Sequence, residues 1–118
     1  MRVVARQCSR LDRAAVVRHY PDMLIVAGYL RVSPDLRDRY LEAAATATRL
    51  ARAADGCLDF VQAADPVHTD RIVIYERWMS EVDLLAFRNS ESDPDAPALP
   101  PILDAEVLRY EIESVGPA

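Results

Sequence analysis

The segment that most constrains the fold is RIVIYERWM at positions 71–79. Its β-branched and aromatic residues are typical of a β-strand. Side chains alternate along a strand, so Ile72 and Ile74 lie on one face and Val73 and Tyr75 on the other. A strand that is apolar on both faces must be covered on both. In a chain of 118 residues a helical layer covers one face. A second copy of the same sheet is the most economical cover for the other, and we therefore predict a homodimer.

The remaining pattern predicts three more strands and two helices around this segment. The predicted elements are a strand over 23–32, a helix from Ser33–Pro34 to about Ala54, a strand over 57–64, a helix from Ser80 to about Asn89, and a last strand over 105–115. Gly56 follows the first helix as its expected left-handed stop. Ser80 and Asp83 have the spacing of a capping box. The order βαββαβ predicts an α+β, ferredoxin-like plait: a four-stranded antiparallel sheet with both helices on one face.

The composition limits the location and the partners of the chain. Residues 1–22 lack the apolar stretch of a secretory signal, so we expect a flexible N-terminal extension and a domain over 23–118. No run reaches the roughly 18–20 apolar residues that span a bilayer. A cytoplasmic protein that does not bind a membrane is expected. Its net charge of −5 makes nucleic acid an unsuitable partner.

Several kinds of cofactor site lack their sequence signals. The two cysteines give neither a disulfide framework nor zinc-ligand spacing. Three glycines in the whole chain leave no glycine-rich phosphate loop. We therefore expect no metal and no cofactor.

Three motifs resemble the antibiotic biosynthesis monooxygenase domain. They are DGCLDF at 55–60, RIVIYERWMSE at 71–81 and LLAFR at 84–88, and the resemblance extends over about residues 23–112. It implies a dimeric α/β barrel, in which the sheet faces of two subunits meet. It also implies a function: several members are oxygenases without metal or flavin that act on dihydroxy-aromatic or polyketide substrates. Other relatives degrade haem or have no known activity.

Haem breakdown fits the sequence poorly. The haem-degrading relatives use a histidine and a tryptophan in or after the second helix. Here Phe87 stands in place of the tryptophan, and no histidine follows His68. The absence of that histidine also weakens the case for catalysis in general, because many quinol-oxygenase relatives carry one in this region.

Cofactor-free oxygenation needs a dry pocket, a group that takes a phenolic proton, and donors for the oxyanion. Strand parity places Glu76 and Trp78 on one face, and we predict both as catalytic residues. The predicted substrate-binding residues are Tyr29, Phe60, Phe87 and Arg88. Each has a structural alternative: the aromatic residues as core, Glu76 as an ion-pair partner of an arginine, and Arg88 as a helix-end cation.

The favoured hypothesis is a cofactor-independent monooxygenase that uses molecular oxygen on a quinol or polycyclic phenol. The alternative is a non-catalytic dimeric barrel that binds a small molecule or serves as a scaffold. A cavity of roughly 300 Å³ beside Trp78, with Glu76 directed into it, favours the enzyme. A site packed shut by Phe60 and Phe87 favours the alternative.

Overall fold

A sheet with helices on one of its faces organises the chain. The computed structural model describes residues 18–19, 21–90 and 95–118. The main elements within these residues are β1 (Leu24–Arg31), α1 (Arg37–Arg52), β2 (Cys57–Ala64), β3 (Arg71–Trp78), α2 (Glu81–Arg88) and β4 (Asp104–Glu111). A single 3₁₀ turn, Pro34–Leu36, leads into α1. Two short strands, Arg18–His19 and Ser114–Val115, pair in a separate antiparallel sheet. The predicted βαββαβ order is confirmed.

The four strands of the main sheet lie in the order β2-β3-β1-β4, and every neighbouring pair is antiparallel. This is the ferredoxin-like topology predicted from the sequence. The prediction of a flexible extension over 1–22 falls mainly on residues outside the described part. No helix among the described residues is long and apolar enough to cross a membrane.

The helix ends differ in how they are capped. Ser80 accepts a hydrogen bond from the backbone N–H of Asp83 at 3.1 Å, as the sequence predicts. Asp83 departs from the standard capping box, since its carboxylate accepts from the Ser80 hydroxyl at 2.8 Å. The side chain of Ser33 caps no backbone N–H of the 3₁₀ turn Pro34–Leu36, and the residue at the start of α1 is Leu36. Gly56 has a φ of +79°, which confirms the left-handed residue between α1 and β2.

The core lies between the sheet and the helices in two adjoining clusters. The core residues come from the helix-facing side of the sheet and from the inner sides of the helices. The first cluster consists of Leu24, Val26, Ala51, Phe60, Trp78 and Leu84. The second consists of Val32, Tyr40, Ala44, Ile72 and Ile74. Trp78, Ile72 and Leu84 are fully buried. The burial of these large side chains supplies the main driving force for folding.

The opposite face of the sheet carries apolar groups that are partly exposed in the single chain. Alternation along the strands puts Val73, Tyr75, Leu108 and Tyr110 on this face. Val73, Leu108 and Tyr110 are 38 %, 52 % and 49 % exposed. We call this surface the open sheet face.

Candidate functional site

A buried carboxylate and the only tryptophan of the chain form the centre of the candidate site. Glu76 and Trp78 are two residues apart on β3, so both point toward the helices. The indole Nε1 of Trp78 donates to Oε1 of Glu76 at 2.9 Å. Trp78 is fully buried and Glu76 is 9 % exposed. The predicted pair is thus a single hydrogen-bonded unit inside the domain.

Two phenylalanines complete an aromatic cluster around this unit. Phe60 pairs with Glu76 across β2 and β3. Phe87, from the last turn of α2, packs against Trp78 with ring centroids 5.6 Å apart. It also meets Phe60 edge-on at 6.0 Å. These separations are within the range of favourable aromatic contacts.

The environment of Glu76 favours its neutral form. Burial raises the pKa of this carboxyl above its ordinary value. The hydrogen bond from Trp78 and the positive charge of Arg88 oppose this rise, because both stabilise the carboxylate. A carboxyl with a raised pKa holds a proton more strongly, and therefore accepts one more readily from an acidic hydroxyl.

An apolar cleft of about 360 Å³ lies beside this cluster, between α1 and the segment that precedes β4. Its lining residues come from α1, β2, the end of α2 and the segment 96–99 before β4: Tyr40, Ala43, Ala44, Thr46, Ala47, Leu50, Gln62, Phe87, Arg88, Ser90, Ala96, Pro97 and Leu99. The alanines of α1 leave the space that larger side chains would fill. The volume falls within the range of small-molecule sites.

The cleft and the buried pair are neighbours that do not open into each other. Phe87 and Arg88 line the cleft, whereas Glu76, Trp78 and Phe60 do not. Phe87 is the link, because this residue lines the cleft and its ring contacts Trp78. The structure therefore combines the two outcomes expected from the sequence. A cavity of sufficient volume exists, but aromatic packing separates it from Trp78.

Tyr29 lies apart from the other predicted site residues. It is opposite Val73 in the β1–β3 register, which puts it on the open sheet face. There the guanidinium of Arg71 lies 3.8 Å from the centre of its ring. The side chain therefore points away from the space between sheet and helices.

Sequence reasoning missed the α1 wall of the cleft. Tyr40, Ala47 and Leu50 recur at helical spacing along α1, and an apolar stripe of this kind indicates a packing face. Tyr40 is indeed buried, but Leu50 is 55 % exposed and lines the cleft with Ala47. The concentration of alanines in the stripe was the available signal, since small side chains on a packing face leave room for a ligand.

No group of three or more His, Cys, Asp or Glu side chains within the described residues is arranged to hold a metal ion. Cys57 is half-buried, and burial raises the pKa of its thiol. That shift disfavours the reactive thiolate.

Comparison with known proteins identifies the relatives of this domain. A candidate antibiotic biosynthesis monooxygenase from Chloroflexus aurantiacus is 30 % identical, with a TM-score of 0.62, over 81 % of this chain and 96 % of that one. The haem degrader MhuD from Mycobacterium tuberculosis, solved with two haems in its active site, has 16 % identity and a TM-score of 0.60, over 75 % of this chain and 94 % of that one. No curated protein matches the sequence.

The family model matches the part of the chain that contains the candidate site. Residues 23–92 match the model for antibiotic biosynthesis monooxygenase, and this range includes Phe60, the Glu76–Trp78 pair and Phe87. A model that covers more than half of the chain, together with the related structures, settles the family. The chain belongs to the antibiotic biosynthesis monooxygenase family.

Proposed function

We propose that this protein is a cofactor-independent monooxygenase of quinols or polycyclic phenols. The observation that carries the proposal is the buried Glu76 carboxyl, hydrogen-bonded to Trp78 at 2.9 Å within an aromatic cluster that adjoins an apolar cleft. A planar, apolar substrate with an acidic hydroxyl suits both the lining of the cleft and the proton acceptor near it.

The proposed reaction needs no electron donor other than the substrate. A hydroquinone and molecular oxygen give a hydroxyquinone and water: one oxygen atom is inserted, and the other leaves with two hydrogens of the substrate. Glu76 takes the hydroxyl proton, and the electron-rich anion then reacts with oxygen. General-base catalysis of this kind contributes about 10²–10⁴-fold to a rate.

Arg88 has the charge that the anionic intermediate requires. It lines the cleft and is close enough to Glu76 to lower the pKa of that carboxyl. A cation held beside a developing oxyanion stabilises it, most effectively where water is excluded. We assign to Arg88 the role of holding the substrate oxygen.

The proposal includes a homodimer formed through the open sheet face. Exposed apolar groups such as Val73, Leu108 and Tyr110 are concentrated there. Arg77 lies on the same face, and its buried Nε has no hydrogen-bond partner among the described residues. A second copy would cover the apolar groups and offer acceptors to this nitrogen.

One observation favours the alternative, a barrel that binds a small molecule without chemistry. Trp78 is fully buried, and Phe87 packs over it on the side of the cleft. In this arrangement a ligand in the cleft contacts Phe87 and does not reach Glu76. The alternative predicts ligand binding without oxygen uptake.

Oxygen consumption with a panel of hydroquinones and anthrone separates the two functions. The monooxygenase predicts uptake by the wild type and a loss of about 10²–10⁴-fold in kcat for Glu76→Gln. Glu42→Gln is the matched control, because Glu42 is an exposed carboxylate on α1 outside the cleft. Equal rates for the wild type and both variants would refute the assignment of Glu76 as the base.

A further inference from the structure

We propose that the hydroxyl of Tyr40 is a second binding point of the cleft, and that it holds a substrate oxygen remote from the one held by Arg88. This inference rests on the proposed function, because it concerns the substrate of the same site. It adds a substrate-binding residue on α1. It also narrows the substrate class to polycyclic phenols that carry a second oxygen at the far end of the ring system.

Tyr40 combines deep burial with an unpaired polar group. The residue is 4 % exposed. Its hydroxyl has no hydrogen-bond partner among the described residues. Polar side-chain atoms at buried positions are hydrogen-bonded in the large majority of cases, so an exception calls for an explanation. A partner from outside the chain supplies one.

The cleft is the place from which such a partner can come. In the described part of the chain, the side-chain nitrogens and oxygens that are both enclosed and unpaired belong to Arg71 and Arg77. The hydroxyl of Tyr40 is not among them, so it borders open space, and the open space that Tyr40 lines is the cleft. In the core, Tyr40 packs with aliphatic side chains that offer no acceptor: Val32, Ala44, Ile72 and Ile74.

The other uncharged polar residues of the lining already have partners within the chain. Thr46 accepts from an arginine of the next turn of α1 at 3.3 Å. Gln62 donates its side-chain amide to a threonine of α1 at 3.5 Å. Ser90 donates its hydroxyl to a backbone carbonyl of α2 at 2.6 Å. Among the uncharged polar residues of the lining, Tyr40 is therefore the one whose hydrogen-bonding capacity is left for a ligand.

The protonation state of Tyr40 determines what it binds. Burial raises the pKa of its hydroxyl above the ordinary value of 10.0. The group therefore stays protonated near neutral pH and can donate a hydrogen bond. The matching group on a ligand is an acceptor, such as a carbonyl or phenolic oxygen. An unsubstituted aromatic edge would leave the hydroxyl unpaired.

Tyr40 and Arg88 lie toward opposite ends of the cleft. Tyr40 precedes Leu50 by ten residues, which is about 15 Å along the axis of α1. Leu50 lies at the α2 end, because it lines a second hollow together with Phe87 and Ser90, which flank Arg88 in the sequence. A ligand that meets both polar groups is therefore elongated and carries an oxygen near each end.

The experiment compares two ligands that differ in one remote oxygen, 2-hydroxyanthraquinone and 2,6-dihydroxyanthraquinone. Both are already oxidised, so calorimetric titration gives Kd without turnover. The variants are Tyr40→Phe, which removes only the hydroxyl, and Tyr110→Phe as the matched control. Tyr110 is 49 % exposed on the open sheet face and does not line the cleft.

We expect 2,6-dihydroxyanthraquinone to bind the wild type and Tyr110→Phe about tenfold more tightly than 2-hydroxyanthraquinone, because it gains one hydrogen bond. In Tyr40→Phe this ratio should fall to about twofold, which is the statistical advantage of a ligand with two equivalent orientations. Without ligand, Tyr40→Phe should have an unchanged or higher Tm, because the hydroxyl that it lacks bonds to no described residue.

An equal ratio in the wild type and Tyr40→Phe would overturn the assignment, as would the failure of both ligands to bind the wild type. A clearly lower Tm for Tyr40→Phe, or its failure to fold, would overturn it too, since the hydroxyl would then have a structural role. The expected ratios without oxygen uptake from quinols would leave this assignment in place and refute the proposed oxygenation alone.

Discussion

Glu76 couples the stability of the domain to pH. Its pKa is raised in the folded state above the ordinary value of 4.5, so the folded protein binds more protons than the unfolded chain in the interval between the two pKa values. The contribution of Glu76 to stability is therefore fully present below pH 4.5 and is lost as the pH rises through the folded pKa. Each pKa unit by which the folded state exceeds the unfolded chain corresponds to about 1.4 kcal/mol in the free energy of unfolding.

We expect Glu76→Gln to remove this dependence. Urea unfolding of both proteins between pH 4 and pH 8 should show the variant gaining stability relative to the wild type as the pH rises, because Gln carries no charge to bury. Glu42→Gln, at an exposed position, should follow the wild type. A constant difference between Glu76→Gln and the wild type across this range would contradict the raised pKa.

Trp78 affects both the stability of the domain and the pKa of Glu76. Trp78→Phe keeps an aromatic ring but removes the donor to Glu76, which leaves a buried acceptor unpaired at a cost of about 1–3 kcal/mol. The lost bond had stabilised the carboxylate, so the pKa of Glu76 rises further. The acidic limb of kcat/KM should move to higher pH. An unmoved limb would show that Glu76 does not act as the base.

At the scale of the elements, the two helix starts provide a matched pair. Ser80 caps α2 through the backbone N–H of Asp83, whereas the side chain of Ser33 makes no such bond at the 3₁₀ turn that leads into α1. We expect Ser80→Ala to lower the free energy of unfolding by about 1 kcal/mol and Ser33→Ala to have a smaller effect. Chemical denaturation measures both, and equal losses would contradict the capping assignment.

Gly56 is coupled to the same cap. A Cβ at Gly56 would lie 2.2 Å from the carboxylate of Asp83, and its φ of +79° disfavours other residues. Gly56→Ala should therefore cost more than about 1 kcal/mol. Because Asp83 must move, part of the Ser80 cap is lost with it. The double variant with Ser80→Ala should lose less than the sum of the single losses, and strict additivity would contradict the coupling.

Local signals explain which elements the sequence predicts well. Gly56 and Ser80 mark chain reversals and helix starts through nearby contacts, so the bounds of β2 and α2 follow from neighbouring residues. The face of Tyr29 could not be predicted in this way. The strand MLIVAGYLRV is apolar at almost every position, so alternation does not indicate which side meets the helices. Its orientation depends on pairing with β3, which is a long-range contact.

The cleft also depends in part on long-range contacts that local sequence signals do not predict. Glu76, Trp78 and Phe87 are brought together as predicted, because strand parity and the α2 pattern suffice for that. The wall formed by Pro97 and Leu99 depends on how the loop before β4 folds against α1. No periodic pattern in that proline-rich loop encodes such packing.

At the scale of the whole molecule, the open sheet face is the surface by which we expect two copies to associate. Val73→Glu places a charge at its centre and should convert dimers to monomers in sedimentation velocity at micromolar concentration. Val82→Glu is the control, since Val82 is 75 % exposed on α2 and should leave the dimer intact. A wild type that sediments as a monomer would contradict the proposed assembly.

The oxygenation of anthrone under ¹⁸O₂ tests the proposed function most directly. Anthrone and one molecule of oxygen give anthraquinone and water, so the product should carry a single labelled atom without release of hydrogen peroxide. Wild type and Glu42→Gln should form it at equal rates, and Glu76→Gln more slowly by about 10²–10⁴-fold. Unlabelled product, or formation at the same rate with Glu76→Gln, would contradict the assignment of this buried carboxyl to oxygen chemistry.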